Sequence, residues 1–516
     1  MSGDTSEQVR STNQIGHDFG RKYEEINIVI SDLHLGEGPQ TELEYGGRRG
    51  FSRAMRVILY RVFGIGSPHE VVNNDLEEFH YDHEFADFLG FTAERYRATD
   101  QLRLRLLGDV FDPLTVAWEG RYQDPPYEDV AVAKLVRIIA GHPDFFRALK
   151  DFISQSNCRL DIFVGNHDLF LVWPAVQRLL RSTITGDDSE LDERLRIIDQ
   201  RDRYRLKERD VLYEHGNFAE PHNSVKAQDT IVLSILGQNL RRPILNAPYG
   251  NYMFVDMVTR IKNSNPLVGR IRSDRRVWNH AFRYRWLWGL KAGLLLVWHF
   301  IYSHLFAVAD IRRKATLRKI LDIVAWTTSN QSVDGYAMRL LERNDDVKVV
   351  VLGHSHNWRR MSSDHGTYLN VGNWSCSYRL EEPAFELKWS RLPRVEFAWR
   401  ALRHFFLTGE VRFAWRMTKF VGALALISAM FAFVFGAFDG GAWTFWPLQP
   451  IVTKVLVGLA LTFILVAGVF RLFSTEPSIK SDTHFTFGLI GYRHDGKFRA
   501  DLMEYDAKKR TANECV

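Results

Sequence analysis

Along the first 356 residues, short apolar runs rich in β-branched side chains stop abruptly at polar clusters. Ile28-Val29-Ile30 leads into Asp32-Leu33-His34, and Leu104 to Leu107 leads into Gly108-Asp109-Val110-Phe111-Asp112. Ile162-Phe163-Val164 is followed by Gly165-Asn166-His167-Asp168, and Val211-Leu212-Tyr213 by His215-Gly216-Asn217. The last run, Val349 to Leu352, ends at Gly353-His354-Ser355-His356. Runs without polar alternation predict strands buried on both faces, as in a parallel sheet. Helical periodicity over Pro125 to Ile139 and Phe145 to Ile153 supplies a βαβ rhythm, so the predicted fold class is α/β. Polar groups at the ends of such strands lie where α/β sheets hold ligands.

A lone Asp-x-His after a strand is common in turns. Five clusters in series, pairing turn glycines with aspartate, asparagine and imidazole, point to chemistry. These are hard or borderline donors, and the set suits a pair of divalent ions acting on a phosphoester. Two such ions would supply a nucleophile near neutral pH and neutralise phosphoryl charge, while a nearby imidazole protonates the leaving oxygen. Imidazole ligands must be neutral, so activity is expected to fall as pH drops through the histidine range.

In order the series resembles the calcineurin-like metallophosphoesterase superfamily, over roughly residues 24 to 380. The resemblance implies a β-sandwich flanked by helices and seven ligands for two divalent ions. Asp32, His34, Asp109 and His356 would hold one ion, with Asp109 bridging; Asn166, His215 and His354 would complete the second. His167 would face the substrate as proton donor or transition-state stabiliser, oriented by a carboxylate such as Asp168 or Asp112. Mn²⁺ is the ion the resemblance implies, with Fe or Zn the alternatives for a His-rich site.

At 516 residues the chain is long for one domain. The expected organisation is a loose tail (1–24) and a catalytic domain (25–405) with insertions at 37–100 and 224–344. A membrane hairpin (412–474) and a C-terminal β-hairpin and tail (475–516) follow. The first insertion reads as a Gly-rich stretch from Glu37 followed by an apolar-basic helix over Phe51 to Phe63, starting beside Asp32 and His34. The second, Ser224 to Asn344, is read as a helical, aromatic cap. Its run from Ala292 to Ala309 lacks Lys, Arg, Asp and Glu over 18 residues. That run suits a cap dipping into a membrane surface or lining an acyl-chain groove, against a buried core helix or a short span. Phe420 to Phe438 and Ile451 to Phe473 fit two spans, with Trp415, Trp443 and Trp446 as interfacial aromatics. Arg412, Arg416 and Lys419 place the flank inside, so both ends and the catalytic domain are expected on the cytoplasmic face of the inner membrane. Alternation over His484 to Ile490 and Lys497 to Tyr505 around Asp495-Gly496 predicts a β-hairpin.

A net charge of +5, from 67 basic and 62 acidic residues, does not single out nucleic acid as a partner. Neither does any long basic groove with interleaved aromatics. The three cysteines, Cys158, Cys376 and Cys515, have no metal-like spacing and argue against a disulfide framework. For the substrate, Ile30-Ser31-Asp32-Leu33-His34-Leu35-Gly36 and Tyr368-Leu369-Asn370-Val371-Gly372-Asn373-Trp374 are similar to segments of UDP-2,3-diacylglucosamine pyrophosphohydrolases. The chain departs from that group at His167, where arginine is usual, and at Gly216-Asn217, where Gly-Asp is usual. Both insertions are also longer. The expectation is a membrane-bound relative acting on a lipid-linked or amphipathic phosphoester, with a phosphoprotein or small-molecule phosphatase as the alternative.

Overall fold

The structure, a computed structural model, describes residues 23–38, 41–45, 68–72, 76–119, 121–122, 125–235, 238–255, 298, 332–381 and 478–515. The tail through residue 22, the predicted helix at 51–63, all of the apolar run at 292–309 except Trp298, and the predicted spans within 412–474 lie outside the described residues. Among the described residues no helix is long and apolar enough to cross a membrane.

Twelve strands build two sheets. They are β1 (Tyr23–Ile30), β2 (Gln101–Leu106), β3 (Cys158–Phe163), β4 (Leu195–Ile198), β5 (Arg205–Glu208), β6 (Val211–Glu214), β7 (Val349–Leu352), β8 (Arg359–Ser363), β9 (Gly366–Asn370), β10 (Phe485–Arg493), β11 (Phe498–Asp506) and β12 (Thr511–Glu514). The first sheet has the order β12-β11-β10-β1-β2-β3-β4, and the second β8-β9-β7-β6-β5. β1 through β4 run parallel, as do β6, β7 and β9. Among the described residues, the longer helices are α1 (Asp82–Arg95), α2 (Glu128–Gly141), α3 (Pro143–Ile153), α4 (Pro174–Thr185) and α5 (Val333–Arg343).

Strand periodicity sorts the apolar side chains into three layers. Ile26, Ile28 and Ile30 of β1 pack with Leu102, Leu104 and Leu106 against Phe85, Phe88, Leu135, Phe145 and Leu149 of the helices. Val29 points the other way and joins Val211, Tyr213, Val349 and Val351 between the sheets. Leu212, Val350 and Leu352 then face Ala337 and Leu341 of α5. Each central strand is covered on both sides, which is why its sequence reads as an unbroken apolar run. One buried ionic group interrupts this pattern. Arg105 is fully buried, bonds Asn27 Oδ1 and Asp161 Oδ2 at 2.8 Å each, pairs with Glu208, and stacks 4.2 Å from the Tyr213 ring centre.

Two expectations change. The C-terminal β-hairpin is not an appendage: β10 pairs antiparallel with β1, from Glu25↔Tyr492 to Val29↔Gly488, and so completes the catalytic sheet. A hairpin signal is local, whereas its docking partner lies more than 450 residues away. The second insertion is also not helical throughout. Ile231–Ile235 and Gln238–Leu245 form an antiparallel strand pair, and α5 at its far end packs on β7 and β9 as the outer layer of the sandwich.

The chain divides into two compact units, the first comprising Met1–Arg272, Gly293–Tyr378 and Ser481–Val516, and the second Ser273–Ala292 with Arg379–Lys480. Of the second, the described residues belong to Tyr378–Glu381 and Ser478–Ser481, which together form a two-stranded sheet.

Candidate metal centre

All five polar clusters follow the carboxyl ends of β1, β2, β3, β6 and β7. Asp32, His34, Asp109, His354 and His356 all have left-handed backbones, with φ of 54°, 57°, 49°, 65° and 56°. Each such residue costs on the order of 1–3 kcal/mol and persists only where its surroundings hold it, a pattern typical of functional sites. The loops are cross-tied: His34 N–H donates to the Asp109 carbonyl at 3.0 Å and Leu35 N–H to that of Val110 at 2.9 Å. Gly108 has φ +93°, and a Cβ there would sit 2.8 Å from the His215 ring, so only glycine admits that imidazole.

The side chains meet in groups. Asp32, His34 and His356 form one, with His34 Nε2 3.1 Å from His356 Nε2 and Asp32 Oδ1 3.3 Å from His356 Nε2. Asp109, His215 and His354 form the second, with His215 Nε2 3.2 Å from Asp109 Oδ2. His34, Asp112 and His167 form a third beside the first.

Most of these groups commit one atom to the scaffold and keep another back. Asp32 Oδ2 accepts from the His354 N–H at 2.8 Å, while Oδ1 is buried with no hydrogen-bond partner. Asp109 Oδ1 accepts from the His167 N–H at 2.8 Å, which leaves Oδ2 toward His215. His215 Nδ1 donates to the Leu107 carbonyl at 2.9 Å, and its buried Nε2 faces Asp109 Oδ2. The Asn166 carbonyl accepts from Asn251 Nδ2 at 2.8 Å, while its Oδ1 is likewise buried and unbonded. Orphaned donor atoms of this kind are rare in folded proteins and fit metal ligation. Six of the seven predicted ligands fall into the first two groups. Asn166 sits in the loop whose next residue bonds Asp109.

Electrostatics favour a cation here. Burial would raise both aspartates, yet the surrounding histidines together outweigh it, His215 and His356 holding Asp32 at about 2 and His215, His167 and His34 holding Asp109 well below the carboxylate range. Burial pushes His34 down to about 4, with His167 and His356 adding to the effect, so its imidazole is neutral. Burial would also lower His215, but Asp109 and Asp32 outweigh it and lift it to about 10. Two buried carboxylates thus demand positive charge in a space ringed by nitrogen donors. The residues present fit divalent ions.

His167 lies beside the first group, in the cluster it forms with His34 and Asp112, and the two carboxylates offered for its orientation make different contacts. Asp112 Oδ1 lies 3.1 Å from His167 Nδ1. Asp168 instead accepts from the Gly165 N–H at 2.6 Å and the Val110 N–H at 2.8 Å, tying two loops together. Burial and Asp109 push its carboxyl up to about 7. The Asp168 carboxylate thus braces the loops of the second and third motifs.

Sequence reasoning passed over several neighbours. Phe254 packs edge-on against His167 at 5.0 Å between ring centres. Glu78, buried within the first insertion, acts electrostatically on His34 and His356. Glu220 Oε2 lies 3.1 Å from His354 Nε2. Of these, only Glu220 lies beside a sequence departure, following Gly216-Asn217 where Gly-Asp is usual.

No family profile and no curated protein matches this sequence. Among solved structures it is similar to a dimetal phosphatase from Danio rerio, with 11% identity and a TM-score of 0.23 over 68% of this chain and 88% of that one. It is also similar to the phosphopantetheinyl hydrolase of Mycobacterium tuberculosis, with 11% identity and a TM-score of 0.21 over 68% and 91%. Likeness at this level decides nothing, and the chemistry of the site stands on its own geometry.

Proposed function

We propose that this chain is a two-metal hydrolase of phosphoester or pyrophosphate bonds. The observation that carries the reading is the convergence of Asp32, His34 and His356 with Asp109, His215 and His354 at the ends of parallel strands. Orphaned buried donors face that space. The first group and Asp109 would hold one ion, and Asp109, Asn166, His215 and His354 the other. Such ions, when bound, supply an activated water and neutralise phosphoryl charge. The chain's own contribution is a proton at His167. Asp112 would orient the ring through Nδ1, and the imidazolium would protonate the leaving oxygen.

The finer proposal is a lipid-linked or amphipathic substrate at the inner membrane, with Mn²⁺ as the metal. It is supported by the resemblance of residues 30–36 and 368–374, by the apolar sequences within 412–474, and by the aromatic sequence of 278–306. Phe254 beside His167 adds an apolar surface next to the reacting groups.

The test uses full-length protein stripped of metal and restored with Mn²⁺, assayed against lipid-linked pyrophosphates, nucleotides and phosphopeptides. Hydrolysis strongest on the lipid-linked compounds is expected. Preference for phosphopeptides or small monoesters would move the substrate to the alternative phosphatase class. Failure to bind two ions, or to cleave any phosphoester, would remove the hydrolase reading altogether.

A further inference from the structure

The segment after the third histidine motif holds a partly buried carboxylate aimed at a predicted ligand. Glu220 Oε2 lies 3.1 Å from His354 Nε2 and 3.5 Å from His222 Nε2, and accepts from Asn223 Nδ2 at 2.6 Å. Asn223 is in turn locked, because its carbonyl accepts from Asn217 Nδ2 at 2.8 Å. The Gly250 N–H donates to the His222 carbonyl, also at 2.8 Å. Glu220 is therefore fixed by the loop around it rather than free to follow a ligand.

Three of the other ligands share one rule: each engages the scaffold with one atom and presents the second. Asp32 does so through Oδ2, Asp109 through Oδ1 and His215 through Nδ1. For His354 the engaged atom is Nε2, and the partner is Glu220. We propose that Glu220 is a positioning residue that accepts the Nε2–H of His354, fixes that tautomer, and so presents Nδ1 as the donor to the second ion. This rests on the two-metal reading above. A carboxylate behind an imidazole ligand both orients the ring and makes it more basic, and losing such a partner typically weakens metal binding about 10–100-fold.

The experiment titrates Mn²⁺ into metal-free full-length protein, following stoichiometry by elemental analysis and coupling between the ions by electron paramagnetic resonance. Wild type should bind two ions and give the spectrum of a coupled pair. Glu220→Ala should keep one ion at wild-type affinity, bind the second about 10–100-fold more weakly, and show an isolated-ion spectrum at low Mn²⁺. Glu220→Gln should recover most of the second affinity, because its amide oxygen still accepts from Nε2–H. A general unfolding would remove both ions and would not be rescued by glutamine. If Glu220→Ala binds both ions as tightly as wild type, the positioning role is wrong while the two-metal reading stands. If Glu220→Gln loses the second ion as fully as Glu220→Ala, Glu220 is itself a ligand and the assignment is overturned. Should wild type bind no ion pair, the two-metal reading fails first.

Discussion

The division of labour between Asp112 and Asp168 gives the sharpest expectations at the scale of single residues. His167→Ala removes a proton donor without touching a ligand, so both ions should remain while kcat falls about 10²–10⁴-fold and KM changes little. Loss of an ion by elemental analysis in that variant would mean that His167 ligates. Asp112→Asn should mimic part of this effect, because an amide cannot hold an imidazolium through Nδ1 as a carboxylate does. Asp168→Asn should act differently. Its amide can satisfy only one of the Gly165 and Val110 N–H groups and turns a donor toward the other, at a cost of about 1–3 kcal/mol in stability. The check is a pair of measurements on each variant, kcat and the urea midpoint. Asp168→Asn losing kcat at unchanged stability would reverse the two roles. All nine predicted site residues are brought to one end of the sheets, because turn glycine plus paired polar groups is a signal carried in adjacent positions. The roles of Asp112 and Asp168 were not legible. Chain neighbours of a histidine are visible in sequence, but Asp112 reaches His167 across 55 residues.

At the scale of elements, the α2–α3 junction anchors the first motif from behind. His142 ends α2 and precedes Pro143, which opens α3 with its missing N–H where none is needed. The imidazole is buried between Glu77 Oε2, 3.4 Å from Nε2, and Asp82 Oδ2, 3.0 Å from Nδ1. Glu77 accepts from the N–H groups of Gly36 (3.1 Å), Gly38 (2.7 Å) and Phe79 (3.0 Å), so it holds the loop that follows His34. Burial would lower His142, but Asp82 and Glu77 outweigh it and lift it from 6.5 to about 9. A folded value raised above the unfolded one stabilises fully below pH 6.5 and is lost as pH rises through about 9. The full shift corresponds to about 3 kcal/mol. The urea midpoint of wild type should therefore exceed that of His142→Gln at pH 6, and the gap should close by pH 10. A gap that persists unchanged at pH 10 would mean that the junction does not depend on the charge. The helices themselves were readable, since Phe145, Phe146, Leu149, Phe152 and Ile153 of α3 form one buried stripe. Their boundary reads in the sequence as a gap between Ile139 and Phe145, whereas His142 alone separates them, ending one helix and capping the next. The strands at 231–245 were missed because aromatic helical periodicity further along coloured the whole insertion.

For the whole molecule, the catalytic sheet is assembled from distant parts of the chain, and this can be tested by cutting at two places. β1 is the central strand, flanked by β2 on one side and β10 on the other. β10 also reaches the site region: Trp374 Nε1 donates to the Thr486 carbonyl at 2.8 Å, and Thr486 Oγ1 to the Val371 carbonyl at 2.6 Å. Trp374 N–H in turn donates to the Asp32 carbonyl at 3.3 Å, which ties the C-terminal hairpin to the first motif. Truncation after Lys480 removes β10, β11 and β12. It should leave β1 with one open edge, uncover the Val29 and Val351 layer, and give protein that neither folds nor binds Mn²⁺. Replacing 382–477 with a short Gly-Ser linker should do the opposite. Tyr378–Glu381 and Ser478–Ser481 are neighbours in one small sheet, and the Asp482 N–H donates to the Ser377 carbonyl at 2.8 Å, so the two ends already lie side by side. The shortened protein should bind two Mn²⁺ and cleave a water-soluble diester at near wild-type rate. If 412–474 anchors the chain, it should also leave the membrane fraction and lose its advantage on lipid-linked substrates. Two bound ions in the chain truncated after Lys480 would show that the site forms without the hairpin. Failure of the linker variant to fold would instead make 382–477 part of the catalytic core.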